Sequence, residues 1–276
     1  MCTLTIAWRV FEEAPTALAA NRDEALDRES EPPALRITGE AGAGDVDGTD
    51  ADGSCRYLAP RDAEAGGTWI GMGSSSLVVA VTNRWLDVDR DAERSRGLLV
   101  ADCLRQPSAE AAVRTVEREL DDREYDGFNL VLADDIAAFL LSYDGRLTVT
   151  RLDPGVHVVG NVGAVANGEP RFAIPDRRAE FGAERADSTR RVAAAIVPEP
   201  GETGSAWLDR TADVLADHSY GACLHGERFG TRSFTRIRTG TDPAFAYADG
   251  PPCETDAVPV RIPAGFGTGE ATESQF

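Results

Sequence analysis

A cysteine stands at position 2, directly behind the initiator methionine and directly ahead of a strand-like run over residues 3–10, TLTIAWRV. Processing removes an initiator methionine readily when a small residue follows, and cysteine is small enough. Cys2 would then be the true N-terminus, carrying a thiol and a free α-amine on one residue. An α-amine titrates near ~7.7–8.0, against ~10.4 for a lysine, so it serves as a general base near neutral pH. Nucleophile and base would then be supplied together, a variant of the pairing that activates side-chain nucleophiles. The thiolate is the reactive form, and neighbouring cations favour it. The segment ANRDEALDR places Asn21, Arg22, Asp23 and Glu24 at the end of a second strand-like run, TALAA. If residues 3–10 and 16–20 form a hairpin, these side chains return beside position 2. Arg22 would then favour the thiolate, and Asp23 would accept a hydrogen bond from the amine. Taken alone, the same four residues also read as a solvated turn with local ion pairs.

The other chemistry-bearing residues are scattered. The cysteines are Cys2, Cys55, Cys103, Cys223 and Cys253; they are odd in number, widely spaced and without a CxxC. Such usage points to free thiols in a reducing cytoplasm and away from a disulfide framework. Cys103 lies in an apolar helical stretch and is expected in the core. Cys223 and His225 form a C-x-H pair with His218 nearby, but a metal site needs a third and fourth ligand at workable spacing. The expectation is therefore no metal. His157 alternates within a strand as a structural residue would, Asn129 reads as fixing a turn, and Thr68 and Trp69 read as packing residues.

Elements that must position these groups follow from periodicity. Leu4, Ile6, Trp8 and Val10 share one face of the first strand. Pro32 and Pro33 are expected to stop regular structure. Residues 40–54, rich in Gly and Asp, read as a solvated surface loop. GGTWIGMGSSSLVVAVTNR reads as turn, short strand, turn and strong strand. SRGLLVADCLRQ has helical spacing, and Ser108 caps the amphipathic helix AEAAVRTVERELDD. GFNLVLADDIAAFLLSYDGRLTVTRL reads as successive strands turning at Asp134-Asp135 and Asp144-Gly145. GVHVVGNVG adds a strand, STRRVAAAIV and AWLDRTADVLADH add helices, and TRSFTRIRT adds a late strand. Hairpins outnumber βαβ units, which predicts an α+β domain of antiparallel sheets covered by helices. A single domain over residues 1–265 and a polar tail over 266–276 are expected.

Composition narrows the function classes. The chain has 276 residues, 42% of them apolar, enough for a sizeable core. No apolar run approaches a membrane span, and no secretory signal precedes the first strand. Asp and Glu total 47 against 28 basic residues, all of them arginine, for a net charge of −19. Scattered acids without lysine suit the cytoplasm of a salt-adapted prokaryote, where high salt screens self-repulsion. No basic stripe exists to neutralise phosphates, so nucleic acid is not expected as a partner. Oligomeric state is not legible in the sequence.

The segments MCTLTIAW, ANRDE, GGTWIG, VAVTNR, SRGLLV, YDGFNLVLAD and FGTRS occur in the order found in NRDE-domain proteins of the transport and Golgi organization family. The chain resembles that family from residue 1 to about residue 235. The family in turn resembles N-terminal nucleophile (Ntn) cysteine hydrolases of the bile-salt hydrolase and penicillin acylase type. The resemblance implies an αββα sandwich of two mainly antiparallel sheets flanked by helices. It implies Cys2 as nucleophile of an amidohydrolase for a small amide or acylated substrate, with no required cofactor. Arg22 would lie near the thiol and Asp23 near the amine, although these residues adjoin here where the hydrolases separate them, which leaves Glu24 open for the second role. Asn83 would contribute to an oxyanion hole, Asn161 (or Asn167) would be a second asparagine, and Arg232 a late supporting arginine. Members of the family are associated with haem transfer and with acyl-lipid or acyl-CoA handling. The alternative is therefore a non-catalytic carrier of haem or an acyl-lipid.

Overall fold

A computed structural model of the chain describes residues 2–37, 56–264 and 266. The expected loop over 40–54, Cys55, the fate of Met1 and residues 267–276 lie outside the described residues. The chain opens with the hairpin β1 (Cys2–Trp8) and β2 (Thr16–Ala25), then β3 (Ser30–Ile37), β4 (Arg56–Asp62), β5 (Ile70–Gly73) and β6 (Val78–Asn83). Helices α1 (Arg96–Leu104) and α2 (Ala109–Asp122) precede β7 (Phe128–Ala133), β8 (Ala138–Tyr143) and β9 (Leu147–Arg151). Next come β10 (Gly155–Val159), β11 (Gly163–Ala166), β12 (Glu169–Phe172), α3 (Ala179–Ala195) and α4 (Gly204–Ala216). The described chain closes with β13 (Phe229–Arg238), β14 (Ala244–Ala248) and β15 (Val258–Pro259).

Among the described residues the strands form two antiparallel sheets. One runs β12-β11-β10-β1-β2-β13-β14-β15, the other β3-β4-β5-β6-β7-β8-β9. Strand alternation divides the apolar residues into separate layers. Leu4, Ile6, Trp8 and Leu18 meet Leu58, Ile70, Met72 and Val131 between the sheets. Ala7, Ala17 and Ala19 face the other way, onto Val192 of α3 and Trp207, Leu208 and Leu215 of α4. Val79, Leu130, Leu132 and Leu141 pack outward on Leu99, Val100 and Cys103 of α1 and Ala112 and Val116 of α2. The expected order of helix, sheet, sheet, helix is therefore observed. Ser108 caps α2, its side chain accepting from the Ala111 N–H at 3.2 Å. No helix among the described residues is long and apolar enough to cross a membrane.

Several local expectations change. β1 stops at Trp8 because Arg9 adopts a left-handed φ of 51°. That break reverses the alternation, and Val10 packs on the helix side of the sheet, away from Leu4. Pro32 and Pro33 do not end regular structure: they sit inside β3, at the register shift between Glu31 and Ala34. β3 is an edge strand, where a missing N–H costs no ladder bond. β11, β12 and β14 are additional short strands, and α3 begins nine residues before the expected segment at 188. Phe266, placed at the head of a polar tail, is buried in the core between the sheets. Asn21–Glu24 are strand and not turn, because β2 is paired on both sides, to β1 and to β13.

Candidate active site

The register of the first hairpin sets the site. Cys2 lies directly across from Arg22, and Asp23 lies across from Thr231 of β13. Alternation then sends Cys2 and Arg22 to the inter-sheet side, with Leu4 and Leu18, while Asn21 and Asp23 fall on the helix side. Asn21 is structural: its amide donates to the carbonyls of Leu215 and Ala222 at 3.0 and 2.9 Å, tying β2 to the end of α4.

Cys2 is half-buried, and its backbone N donates to Asn161 Oδ1 at 3.1 Å. Asn161 is buried and held on its other side, with Nδ2 donating to the Asn83 carbonyl at 2.7 Å. One side chain thus links the start of β1 to the end of β6, across the mouth between the two sheets. Asn83 lines the same small cavity as Cys2, Arg22, Trp69 and Arg96, with a volume of about 90 Å³. Arg22 is buried, stacked 4.1 Å over the Trp69 ring, with Asp62 at 3.7 Å and Glu24 at 3.9 Å. Its Nη1 is buried without a hydrogen-bond partner. A buried guanidinium with an unused donor is costly, so the position favours an anionic or carbonyl-bearing guest. Asp62 is shared with Arg28 at 2.9 Å.

Burial pushes the Cys2 thiol up, and the Asp23 carboxylate adds to this, while the Asp23 backbone N–H and the Arg22 guanidinium act in the opposite sense. Burial raises Asp23 to about 6, against the hydrogen bond it accepts from the Thr231 hydroxyl at 2.5 Å. Arg185 of α3 faces the same region, and burial lowers its pKa against the pull of Asp23.

The structure therefore gathers Cys2, Arg22, Asp23, Asn83 and Asn161 at one end of the sandwich. Arg232 does not line the Cys2 cavity; it is the residue at the register shift of β13 between Thr231 and Ser233, and its Nε is buried without a hydrogen-bond partner. Asn167 lies elsewhere, in the turn between β11 and β12 at φ 52°, donating to the Arg151 carbonyl and accepting from the Asp153 N–H. Glu24 also lines the Cys2 cavity, 3.9 Å from Arg22, and accepts from the Ala25 N–H. His157 is buried with both ring nitrogens engaged, by the Asp153 carbonyl and the Asn167 N–H. Asn129 bonds Thr82 and the Gly160 carbonyl within the fold. Trp69, Arg96, Asp62 and Thr231 were not singled out from sequence as site residues. Trp69 offered a signal in its position just after Gly66-Gly67, since Gly67 lets α1 approach closely: a Cβ there would fall 2.2 Å from the Gly97 backbone.

A second cavity, of about 480 Å³, adjoins the first and shares Asn83 and Arg96 with it. Trp85 and Phe181 stack along its wall with centroids 5.4 Å apart, and Arg178 lies over Trp85. Arg84 and Arg177 add further positive charge, offset in part by Asp89, 2.8 Å from Arg177, and Asp126, 4.0 Å from Arg96.

Solved structures share this architecture. Penicillin V acylase from Agrobacterium tumefaciens matches over 90% of this chain and 86% of its own, at 15% identity and a TM-score of 0.50. An N-acylethanolamine-hydrolyzing acid amidase ortholog from Caenorhabditis elegans matches over 86% and 92%, at 12% identity and 0.51. The R18L variant of conjugated bile acid hydrolase from Clostridium perfringens matches over 100% of both chains, at 9% identity and 0.53. At these identities the likeness establishes the Ntn-hydrolase fold alone. No curated protein matches the chain. The sequence pattern of one family does match, over residues 1–220, and the chain belongs to that family, Transport and Golgi organisation 2.

Proposed function

We infer that this protein is an N-terminal-cysteine amidohydrolase for a small N-acyl or acylated amide carrying an anionic group. The observation that carries the reading is the Cys2 N–Asn161–Asn83 chain of hydrogen bonds, which fixes the backbone nitrogen of Cys2 at the mouth between the sheets. With Met1 removed, that nitrogen is an α-amine whose lone pair takes the proton of the half-buried thiol. The thiolate attacks the substrate carbonyl carbon. The oxyanion is held by the Asn83 side chain and backbone N–H groups, a type of donor worth ~3–4 kcal/mol each. The ammonium returns its proton to the leaving nitrogen as the C–N bond breaks, leaving a thioester on Cys2. Water then attacks the thioester, with the amine again taking a proton, and releases the carboxylic acid and the thiol. Arg22 favours the thiolate, and Asp23 supports the charge on the amine from the helix side. The larger cavity supplies an aromatic wall for an acyl body and arginines for an anionic group.

One observation favours a carrier of haem or an acyl-lipid instead: the larger cavity lies beside Cys2 and does not include it. Intact mass and an N-acyl amide panel test the enzyme reading. A mass lacking Met1 and turnover lost in Cys2→Ala support it; a retained Met1, or unchanged turnover in Cys2→Ala, overturns it. Saturable haemin or acyl-CoA binding without product assigns the carrier role. The acidic, lysine-free surface suits a salt-adapted cytoplasm, tested by a melting temperature that rises between low and molar KCl.

A further inference from the structure

The C-x-H pair at 223–225 lacked ligands when read along the chain, and the fold supplies them. His218, Cys223, His225 and Cys253 present one ligand atom each, all within 4.8 Å of one another. Cys223 Sγ lies 3.4 Å from Cys253 Sγ and 3.7 Å from His225 Nε2, and Cys253 Sγ lies 3.1 Å from His225 Nε2. Tetrahedral zinc, with Zn–S near 2.3 Å and Zn–N near 2.0–2.1 Å, needs ligand separations of about 3.3–3.8 Å. The cluster is close to that spacing, and both thiols are free. Two of the chain's three histidines and two of its five cysteines converge here.

The surroundings are built as a ligand shell requires. His225 turns Nε2 toward both sulfurs and Nδ1 toward Glu254 Oε1 at 3.7 Å, which leaves a carboxylate beside the ring nitrogen that faces away from the sulfurs, within a small shift of the hydrogen bond that orients metal-binding imidazoles. His218 stands edge-on to His225 with ring centroids 5.0 Å apart. It returns beside Cys223 because Gly221 ends the short turn His218–Tyr220 in a left-handed conformation, φ 69°. Cys253 is presented by a turn in which the Glu254 and Thr255 N–H groups both donate to the Pro251 carbonyl.

We propose that His218, Cys223, His225 and Cys253 form a His2Cys2 site for a borderline-soft divalent cation of the zinc class, clipping the loop before β13 to the loop after β14. Soft thiolates with imidazoles exclude magnesium and calcium, which prefer oxygen. All four positions are filled by protein, so the site is structural and leaves no open coordination position. It also bears on the candidate active site. Leu224, between two of the ligands, donates its N–H to Thr231 Oγ1 at 2.9 Å and accepts the Thr231 N–H at 2.8 Å. Thr231 Oγ1 in turn donates to Asp23. Fixing residues 223 and 225 therefore fixes the group that holds Asp23.

The test uses full-length protein in a Cys2→Ala background, so that the Cys2 thiol contributes nothing and failure of the hydrolase reading leaves the result intact. Chelator-treated, reduced protein is titrated with Co2+ and then Zn2+. One equivalent of cobalt giving thiolate charge-transfer and intense tetrahedral d–d bands, displaced by zinc, is the expected result. Cys253→Ser and His225→Ala should abolish the bands, and Cys103→Ser should keep them; circular dichroism checks that each folds. If the ligand variants fail to fold, Glu254→Gln is the substitute, with affinity weakened about tenfold or more. Zinc should also slow amide exchange at Leu224 and Thr231 by about tenfold or more. Absence of the bands in folded protein, their survival in Cys253→Ser, or a Cys223–Cys253 disulfide in protein isolated without reductant would overturn the site. Unchanged exchange at those amides with metal bound would overturn the link to Asp23.

Discussion

Two thiol-bearing clusters flank the Thr231–Asp23 hydrogen bond, and they differ in how the chain builds them. Cys2 is carried on β1, and its neighbours Arg22 and Asp23 are set by the register of a hairpin and by β13. Cys223 and Cys253 sit on loops and meet across the β13–β14 hairpin. The first thiol has a guanidinium nearby with a buried, unused donor. The second pair has two imidazoles and a carboxylate. A strand-borne thiol at a cavity mouth suits reaction with a guest, whereas a loop-borne set that satisfies itself suits holding an ion.

The largest test of this contrast is Cys2→Ala. Turnover of the best amide substrate should fall by on the order of 10³-fold or more, with cobalt binding unaltered. Equal loss at both clusters would erase the distinction. Next, Asn161→Ala removes the acceptor of the Cys2 N–H and the donor to the Asn83 carbonyl. A fall in kcat of about 10²-fold is expected, with far-UV circular dichroism unchanged.

Asp23 gives a pH signature opposite in sign to that of the metal cluster, whose ligands must lose protons to bind and whose contribution therefore grows as pH rises. Its carboxyl is raised in the folded state from 3.8 to about 6. The folded protein therefore binds the proton more tightly than the unfolded chain, and stability falls as pH rises from about 4 to about 6. The full cost above that window is about 3 kcal/mol. Asp23→Asn should remove this component, so that its melting temperature gains on the wild type as pH rises from 4 to 7. A constant difference would contradict the burial argument. The smallest effect is expected at the bridge between the clusters. Thr231→Val loses the hydroxyl that accepts from Leu224 and donates to Asp23, costing about 1–3 kcal/mol in chemical denaturation. Zinc should still stabilise this variant, because no ligand is touched, but by less than the wild type, because the Leu224 N–H has lost its acceptor.

The layered fold was legible because strand and helix periods recur clearly. Leu4, Ile6 and Trp8 mark a strand face, and Ser108 marks a helix start. Short strands such as β11 and β12 were not, because four residues give too little alternation to read. Pro32 and Pro33 misled because an edge strand tolerates what a central strand does not. For the site, Arg22 and Asp23 were legible through the hairpin, and Asn161 was distinguished from Asn167 only by where each side chain goes.

The amino-acid sequence by itself pointed to the family, through motifs spread along the chain, and to the N-terminal hairpin, because that hairpin depends on contacts close along the chain; the register then set Cys2 across from Arg22. Tertiary structure decided the rest. Asn161 reaches Cys2 across 159 residues, Thr231 reaches Asp23 across 208, and Cys253 reaches His225 across 28. Such partners are fixed by sheet order and loop closure, which no local spacing encodes.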